Sequence, residues 1–301
     1  MALRSVSDFE KHSSCLLLSI EQRGISLRYF RALQEGKSQL SFRTLHRVAM
    51  ILLAAGMLTR AWAQTSSEVV IAAEDDWPPY SSVGPSNAAP TGFAVNLVRE
   101  AFATQSIRVR FITVPFARCM FLAKIGKVAG CFDATILDEN RDVYYWHATP
   151  MFQEQLAIFA RANPTQANVT LADLAGKRVG YTIEYTYPDS FSLDPRILKF
   201  GAKSDRVLLE MLLAGHLDYI IINTTPAYVQ MKKMGKSASL FAKVGVIAED
   251  GFWVAFTRAN PTGAELAVTF DRGLQALHQS GRYRQLQEHF LPEALEQGPP
   301  R

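Results

Sequence analysis

Strand-like and helix-like segments alternate along residues 69–279, and this alternation constrains the fold more than any other feature of the sequence. Apolar side chains recur at helical spacing in residues 93–102 and again from Leu266 to Leu277, while short β-branched or apolar runs stand between such segments. This order predicts an α/β fold rich in parallel strands. The predicted strands are residues 69–73, 109–114, 128–136, 156–160, 178–182, 217–223 and 252–257; further helices are predicted from Pro115, over residues 171–177, and from Ser204 or Asp205 to Gly215.

The first predicted strand ends in a turn that is rich in acids and aromatic rings. Residues 74–80 read Glu-Asp-Asp-Trp-Pro-Pro-Tyr, and the two prolines cannot continue a sheet ladder. Carboxylates and a large ring therefore stand at the carboxyl end of a strand, where α/β proteins usually place ligands. The stretch indicates a protein that captures a small polar molecule.

A secretory signal is predicted just before this strand. Arg43 and Arg47 precede the apolar residues 48–58, and an Ala-x-Ala site ends at Ala63. The apolar run is short for a membrane span, so cleavage after Ala63 is favoured over an uncleaved anchor. We therefore expect a periplasmic protein and exclude residues 1–63 from the fold.

Without residues 1–63, the net charge of the chain is close to zero. Residues 64–301 carry 23 Lys and Arg and 24 Asp and Glu. The basic excess of the whole sequence therefore predicts no nucleic-acid partner.

Two cysteines, Cys119 and Cys131, lie after the predicted cleavage site. In an oxidising compartment such a pair favours a disulfide over two separately buried thiols. The four histidines that follow the cleavage site are far apart and lack metal-ligand spacing with the cysteines, so neither a metal site nor a cofactor is expected. His147, beside Trp146, is predicted to be a packed surface residue.

Seven short motifs, read in order, resemble the bacterial extracellular solute-binding proteins of family 3, the polar amino-acid receptors of ABC importers. Each is weak alone, but together they span residues 68–293. They are Glu-Asp-Asp-Trp-Pro-Pro-Tyr at 74–80, Gly-Phe-Ala-Val-Asn-Leu at 92–97, Val-Pro-Phe-Ala-Arg at 114–118, Glu-Asn-Arg at 139–141, Asp-Leu-Ala-Gly-Lys-Arg-Val-Gly at 173–180, Ala-Gly-His-Leu-Asp at 214–218 and Leu-His-Gln-Ser-Gly-Arg-Tyr at 277–283.

The resemblance implies a two-lobed periplasmic-binding-protein-like (type II) α/β fold, with the ligand cleft between lobes joined by two hinge strands. Lobe 1 would be residues 68–154 and 252–293, and lobe 2 residues 157–248. The hinge strands would lie near residues 155–161 and 246–252, and residues 294–301 would form a flexible tail. Hinge closure around a buried ligand is a known mode of such receptors.

The resemblance also implies roles for four ligand-binding residues. Arg141 would bind the ligand carboxylate, since a guanidinium holds that planar anion bidentately; the alternative is a surface arginine in the charged cluster at residues 138–142. Glu74 would meet the ligand amine, and Thr186 would bind the anionic end. Asn223 stands where many members have an aspartate that pairs with the α-ammonium.

Four other residues are candidates whose alternative roles stay open. Trp77 and Tyr80 would either stack on the ligand or pack as walls of the cleft. Arg118 would either face the cleft or cap a neighbouring carbonyl. Tyr185 would narrow the pocket.

These features favour a non-enzymatic receptor that captures an amino acid or related carboxylate and delivers it to an ABC permease in the inner membrane, as a monomer. Two alternatives remain open. One is an enzyme on the same scaffold, a dehydratase-like lyase using Glu74 or Glu184 as a general acid or base. The other is a ligand-sensing receptor for a separate sensor protein.

Overall fold

The apolar runs of the sequence form the strands of one mixed sheet. The structure, a computed structural model, describes residues 68–84 and 89–291. The predicted export signal, its cleavage after Ala63 and the tail at 294–301 lie outside the described residues. Among the described helices, none is long and apolar enough to cross a membrane.

Nine of the described strands make this sheet, namely β1 (Glu68–Glu74), β4 (Arg108–Val114), β5 (Gly130–Ala134), β6 (Tyr144–Trp146), β7 (Phe152–Arg161), β8 (Arg178–Thr182), β9 (Leu198–Ala202), β10 (Tyr219–Asn223) and β11 (Phe241–Thr257). Two more, β2 (Asp76–Trp77) and β3 (Ser81–Ser82), form a separate hairpin. Parallel pairs join β1 to β4 and β5, and β8 to β9 and β10; β11 runs antiparallel to β5, β6 and β7, and β7 runs antiparallel to β10. The order of the strands across the sheet is therefore β4-β1-β5-β11-β7-β10-β8-β9, with β6 paired to β11.

Two long strands connect the halves of the sheet. β11 pairs with β7 from Phe241 to Phe252, and its last residues, Trp253 to Thr257, pair with β5 and β6 instead. β7 in turn pairs with β10. The half formed by β4, β1 and β5 and the half formed by β10, β8 and β9 are therefore joined through this antiparallel pair.

Helices cover both faces of each half. The described helices are α1 (Phe93–Thr104), α2 (Phe116–Lys124), α3 (Asp189–Ser192), α4 (Asp205–Leu213), α5 (Thr224–Lys233), α6 (Gly263–Gln279) and α7 (Arg282–Phe290). In the first half, α1 and α6 pack on one face of the sheet and α2 packs on the other. In the second half, α4 and α5 pack on one face and α3 packs on the other. Separate buried clusters thus stabilise the two halves, which is the two-lobed α/β arrangement that the sequence predicts.

A close backbone contact fixes the acidic turn against helix α1. The first amides of the helix, from Phe93 and Ala94, donate to the carbonyls of Pro79 and Tyr80 at 2.9 and 3.0 Å. Gly92, with φ of 138°, makes this possible, because a Cβ there would lie 2.2 Å from the Tyr80 carbonyl oxygen. The turn that carries Trp77 is therefore held against the start of α1, at the carboxyl end of β1.

Cys119 of α2 and Cys131 of β5 form a disulfide with a Cα–Cα distance of 5.5 Å. Both residues are fully buried between the helix and the sheet. The bridge attaches α2 to the strand that follows it in the chain.

Two expectations from the sequence are corrected. Residues 171–177 form only a short 3₁₀ turn, Ala172–Leu174, because the backbone leaves helical geometry at Ala175, with ψ of 128°, and at Gly176, with φ of 70°. His147 is buried rather than on the surface: its Nε2 accepts a hydrogen bond from the Val254 amide at 2.9 Å.

Candidate functional site

A small cavity lies where the carboxyl ends of parallel strands from both halves meet the crossing strands. Glu74 ends β1, Phe116 follows β4, and Asp133 and Thr135 lie at the end of β5. The second half contributes Tyr185 and Thr186 after β8 and Asn223 at the end of β10, and the crossing strands contribute Leu156, Asp250 and Phe252. Trp77 completes the lining. This is the position at which ligands bind in open α/β sheets.

The cavity is nearly filled by these side chains. Its volume is about 30 Å³, which is about the share of liquid volume that one water molecule takes. The Tyr185 hydroxyl crosses from the second half and donates a short hydrogen bond to Oε1 of Glu74. This bond joins the two halves across the cavity and occupies the Glu74 carboxyl group.

Two further contacts join the halves near the cavity. The Tyr80 hydroxyl donates a short hydrogen bond to Glu154 of β7, and Glu154 also accepts from the Thr225 amide of α5 at 3.3 Å. Gln230 of α5 lies 3.5 Å from the Asp76 carboxylate. The first half and the helix α5 of the second half are thus held together by polar side chains.

Buried acids dominate the electrostatics of the site. Desolvation raises the pKa of Glu74 well above its usual value, against the opposing effect of the Tyr185 hydrogen bond, and the negative charges of Asp133, Asp205 and Asp75 raise it further. Desolvation likewise raises the pKa of Asp133 well above its usual value, and that of Asp250 to a lesser degree. The unliganded site therefore favours neutral carboxyl groups.

Asp205, outside the lining of the cavity, is another buried acid. It accepts a hydrogen bond from the Thr182 hydroxyl at 2.6 Å, and burial raises its pKa to about 6. Because Thr182 ends β8, this bond fixes the start of the loop that carries Tyr185 and Thr186.

Of the eight ligand-binding candidates from the sequence, the structure brings five to the cavity and leaves three outside its lining. The five are Glu74, Trp77, Tyr185, Thr186 and Asn223. Tyr80 is buried in the core, where its ring stacks on Phe152 at 4.2 Å. Arg118 lies exposed on α2.

Arg141 is also placed away from the cavity. Its side chain is 59% exposed and forms an ion pair with Asp138 at 3.3 Å. The turn that carries it is fixed by Asn140, whose Oδ1 accepts from the Leu137 amide and whose Nδ2 donates to the Thr135 carbonyl, both at 2.9 Å. This turn directs the guanidinium to the surface.

Sequence reasoning missed six of the lining residues: Phe116, Asp133, Thr135, Leu156, Asp250 and Phe252. A signal was available for Asp133, since it lies near the end of a predicted strand parallel to that of Glu74. Glu184, the other proposed catalytic acid, is exposed and has a φ of 66°. Within residues 68–84 and 89–291, no group of three or more His, Cys, Asp or Glu side chains has the arrangement of a metal site.

Comparisons with known proteins agree with this architecture. The model of the bacterial extracellular solute-binding proteins, family 3, matches residues 69–293. No curated protein is significantly similar to the chain in sequence.

Solved structures share the fold at low sequence identity. A mutant of ArgBP from T. maritima superposes with a TM-score of 0.64 at 19% identity, covering 79% of this chain and 98% of that one. A histidine kinase sensor domain with similarity to periplasmic binding proteins gives 0.65 at 21% identity, covering 74% and 96%. The substrate binding protein of an amino acid ABC transporter gives 0.62 at 15% identity, covering 75% and 100%.

Proposed function

The chain belongs to the bacterial extracellular solute-binding proteins, family 3, and from this premise we propose that it captures a small polar solute, an amino acid or related carboxylate, in the periplasm for an ABC importer. The proposal includes a monomeric receptor that is exported with cleavage after Ala63. Its lobes would be residues 68–154 with 252–293, and residues 157–248.

One observation carries the proposal: the cavity at the carboxyl ends of the parallel strands receives side chains from both halves of the sheet and from the strands that join them. Glu74 and Asp133 come from the first half, and Tyr185, Thr186 and Asn223 from the second. A solute bound between them contacts both halves only when they close on it. Its differential contacts would therefore favour the closed state.

The roles of the lining residues follow from their chemistry. Glu74 would accept hydrogen bonds from an amine of the solute, in place of the Tyr185 hydroxyl. Thr186 and Asn223 would hydrogen-bond its polar end, and Trp77 would cover its apolar part. Arg141 would take part only if its turn rearranged, because its guanidinium lies at the surface beside Asp138.

The first test is a thermal-shift screen of residues 64–301 against amino acids, amines and small carboxylic acids, followed by calorimetry with each solute that raises the melting temperature. We expect one-to-one binding of at least one solute. If Glu74 pairs with a solute amine, Glu74→Gln should weaken binding at least tenfold, which corresponds to about 1.4 kcal/mol.

Two controls accompany this variant. Glu139→Gln replaces an exposed acid and should leave affinity unchanged. Arg141→Ala should cost less than threefold; a loss of two or three decades would instead restore the carboxylate-binding role that the family resemblance implies. Equal affinity of Glu74→Gln and the unmodified protein would remove Glu74 from the site.

The same preparation separates the receptor from the two alternatives. Turnover of a bound carboxylic acid would identify an enzyme, and Glu74 is the group for which burial supports that chemistry. A receptor for a separate sensor has a relative in fold in the histidine kinase sensor domain. It would bind the solute but leave uptake unchanged when its gene is deleted.

A further inference from the structure

Asp133 is the least expected residue of the cavity. It is only 4% exposed, and neither oxygen of its carboxyl group has a hydrogen-bond partner among the described residues. A polar group buried without a partner costs free energy in the folded protein. Its retention at the lining of a cavity therefore requires a compensating interaction.

The backbone at Asp133 is also unusual. Its φ of 65° lies in the left-handed region, which aspartate tolerates better than most residues but still disfavours. The pairing of β5 with β11 shifts register here: Cys131 pairs with Ala255, whereas Ala134 pairs with Trp253. Such a distortion of a central strand is typical of residues that the fold positions for binding.

Acids and aromatic rings surround this carboxyl group. Glu74 and Asp250 line the same cavity, whereas none of the residues known to line it is Lys or Arg. The walls include the rings of Trp77, Phe116, Tyr185 and Phe252. An acidic cavity with aromatic walls is complementary to an organic cation, since ring faces attract ammonium and guanidinium groups. A hard metal ion would instead require six or more oxygen ligands.

We propose that Asp133 and Glu74 together bind a guanidinium or primary ammonium group of the solute, so that the site selects organic cations over their neutral analogues. This inference rests on the proposed function and specifies its ligand. The positive charge of the bound group favours the ionised form of both acids. Its several N–H donors can then serve both carboxylates, and the Tyr185 hydroxyl would be displaced from Glu74. A carboxylate on the solute would be dispensable for binding.

Calorimetry with matched probes tests the inference. L-Arginine and L-citrulline differ in the charge of one terminal group, and agmatine is arginine without its carboxylate; lysine and cadaverine form the corresponding ammonium pair. We expect at least one cationic probe to bind tenfold or more tightly than citrulline. Its decarboxylated partner should bind within about tenfold of it.

Asp133→Asn should reduce the preference over citrulline at least tenfold, with Asp142→Asn, an exposed acid, as the matched control. The melting temperature of Asp133→Asn without solute reports whether the variant folds, and the probe preference of the unmodified protein is measured independently of any variant.

Three results would overturn the inference: no binding by any cationic probe, citrulline binding as tightly as the cations, or an unchanged preference in folded Asp133→Asn. Binding of a neutral or anionic solute from the wider screen would leave the proposed receptor function intact in each case. Absence of binding by every solute of that screen would count against both.

Discussion

At the scale of single residues, burial shifts the pKa of several side chains and so makes the stability of the fold depend on pH. His147 is the clearest case outside the cavity. Its ring packs against that of Phe270, with centroids 4.6 Å apart. Its Nε2 accepts a hydrogen bond from the amide of Val254, which lies where the pairing of β5 with β11 shifts register. Desolvation lowers its pKa to about 4, so the folded protein holds a neutral imidazole.

This gives stability a pH dependence with a defined sign. Between about pH 4 and 6.5 the unfolded chain binds the proton and the folded chain does not, so the contribution of His147 is present above pH 6.5 and is lost as the pH falls towards 4. We expect about 2 kcal/mol of the free energy of unfolding to be lost between pH 7 and pH 5 through this residue.

The measurement is urea unfolding at several pH values. The buried acids act in the opposite direction, because their raised pKa values favour the protonated folded state at low pH, so the comparison is between the unmodified protein and His147→Gln. The variant keeps an acceptor for the Val254 amide and should lack this loss, whereas His278→Gln, at an exposed position, should retain it. Parallel curves for all three proteins would contradict the prediction.

Residue-level reasoning located about half of the cavity from the sequence. Glu74 and Thr186 follow predicted strands and Asn223 ends one, so the strand-end rule and the resemblance locate them. Asp250 and Leu156 lie within crossing strands, and their position depends on pairing between distant segments. Arg141 was placed in the site by the resemblance alone, and the hydrogen bonds of Asn140 that turn it outward have no signature in a linear pattern.

At the scale of elements, local patterns predicted the segments whose boundaries depend on their own residues. Residues 178–182 were predicted and observed as a strand, and Ser204 begins α4 by accepting from the Val207 amide at 3.4 Å. β11 was predicted only over residues 252–257, with the resemblance adding 246–252. Its first residues, from Phe241, are half-buried and acquire their strand conformation from pairing with β7.

A second prediction concerns the disulfide between α2 and β5 and its contribution to stability. Cys119→Ala combined with Cys131→Ala should lower the free energy of unfolding by about 3 kcal/mol, because the bridge closes a loop of 12 residues in the unfolded chain. For a chain of this size the melting temperature should fall by roughly 6 to 12 °C. Alanine avoids placing a hydroxyl group in this fully buried position.

Reducing agent provides the control for this double variant. It should lower the melting temperature of the unmodified protein and leave that of the variant unchanged. Alkylation of two thiols in protein purified without reducing agent would contradict the prediction.

At the scale of the whole molecule, few polar side-chain contacts join the two halves near the cavity. The hydrogen bond from the Tyr185 hydroxyl to Glu74 is the one that lies at the cavity itself. Tyr185→Phe removes this donor, so we expect the unliganded protein to open and its radius of gyration to rise above that of the unmodified protein, which should be near the ~18 Å of a compact chain of this length.

Small-angle X-ray scattering measures this difference. Tyr181→Phe, on the neighbouring strand β8, is the matched control and should scatter like the unmodified protein. A solute found in the screen should return Tyr185→Phe towards the smaller radius. An unchanged radius in Tyr185→Phe would mean that other contacts hold the halves together.

The length of β11 also governs the order in which the chain can fold. β5 lies between β1 and β11, and its partners at Trp253 to Phe256 arrive more than a hundred residues later along the chain. Until then one edge of β5 is open, and closing so distant a pair is intrinsically slow. β7 likewise lacks its hydrogen-bonding partner along one edge until β11 pairs with it. The first half therefore cannot complete its sheet from residues 68–154 alone, and it acquires its final strand order only when Trp253 to Thr257 dock.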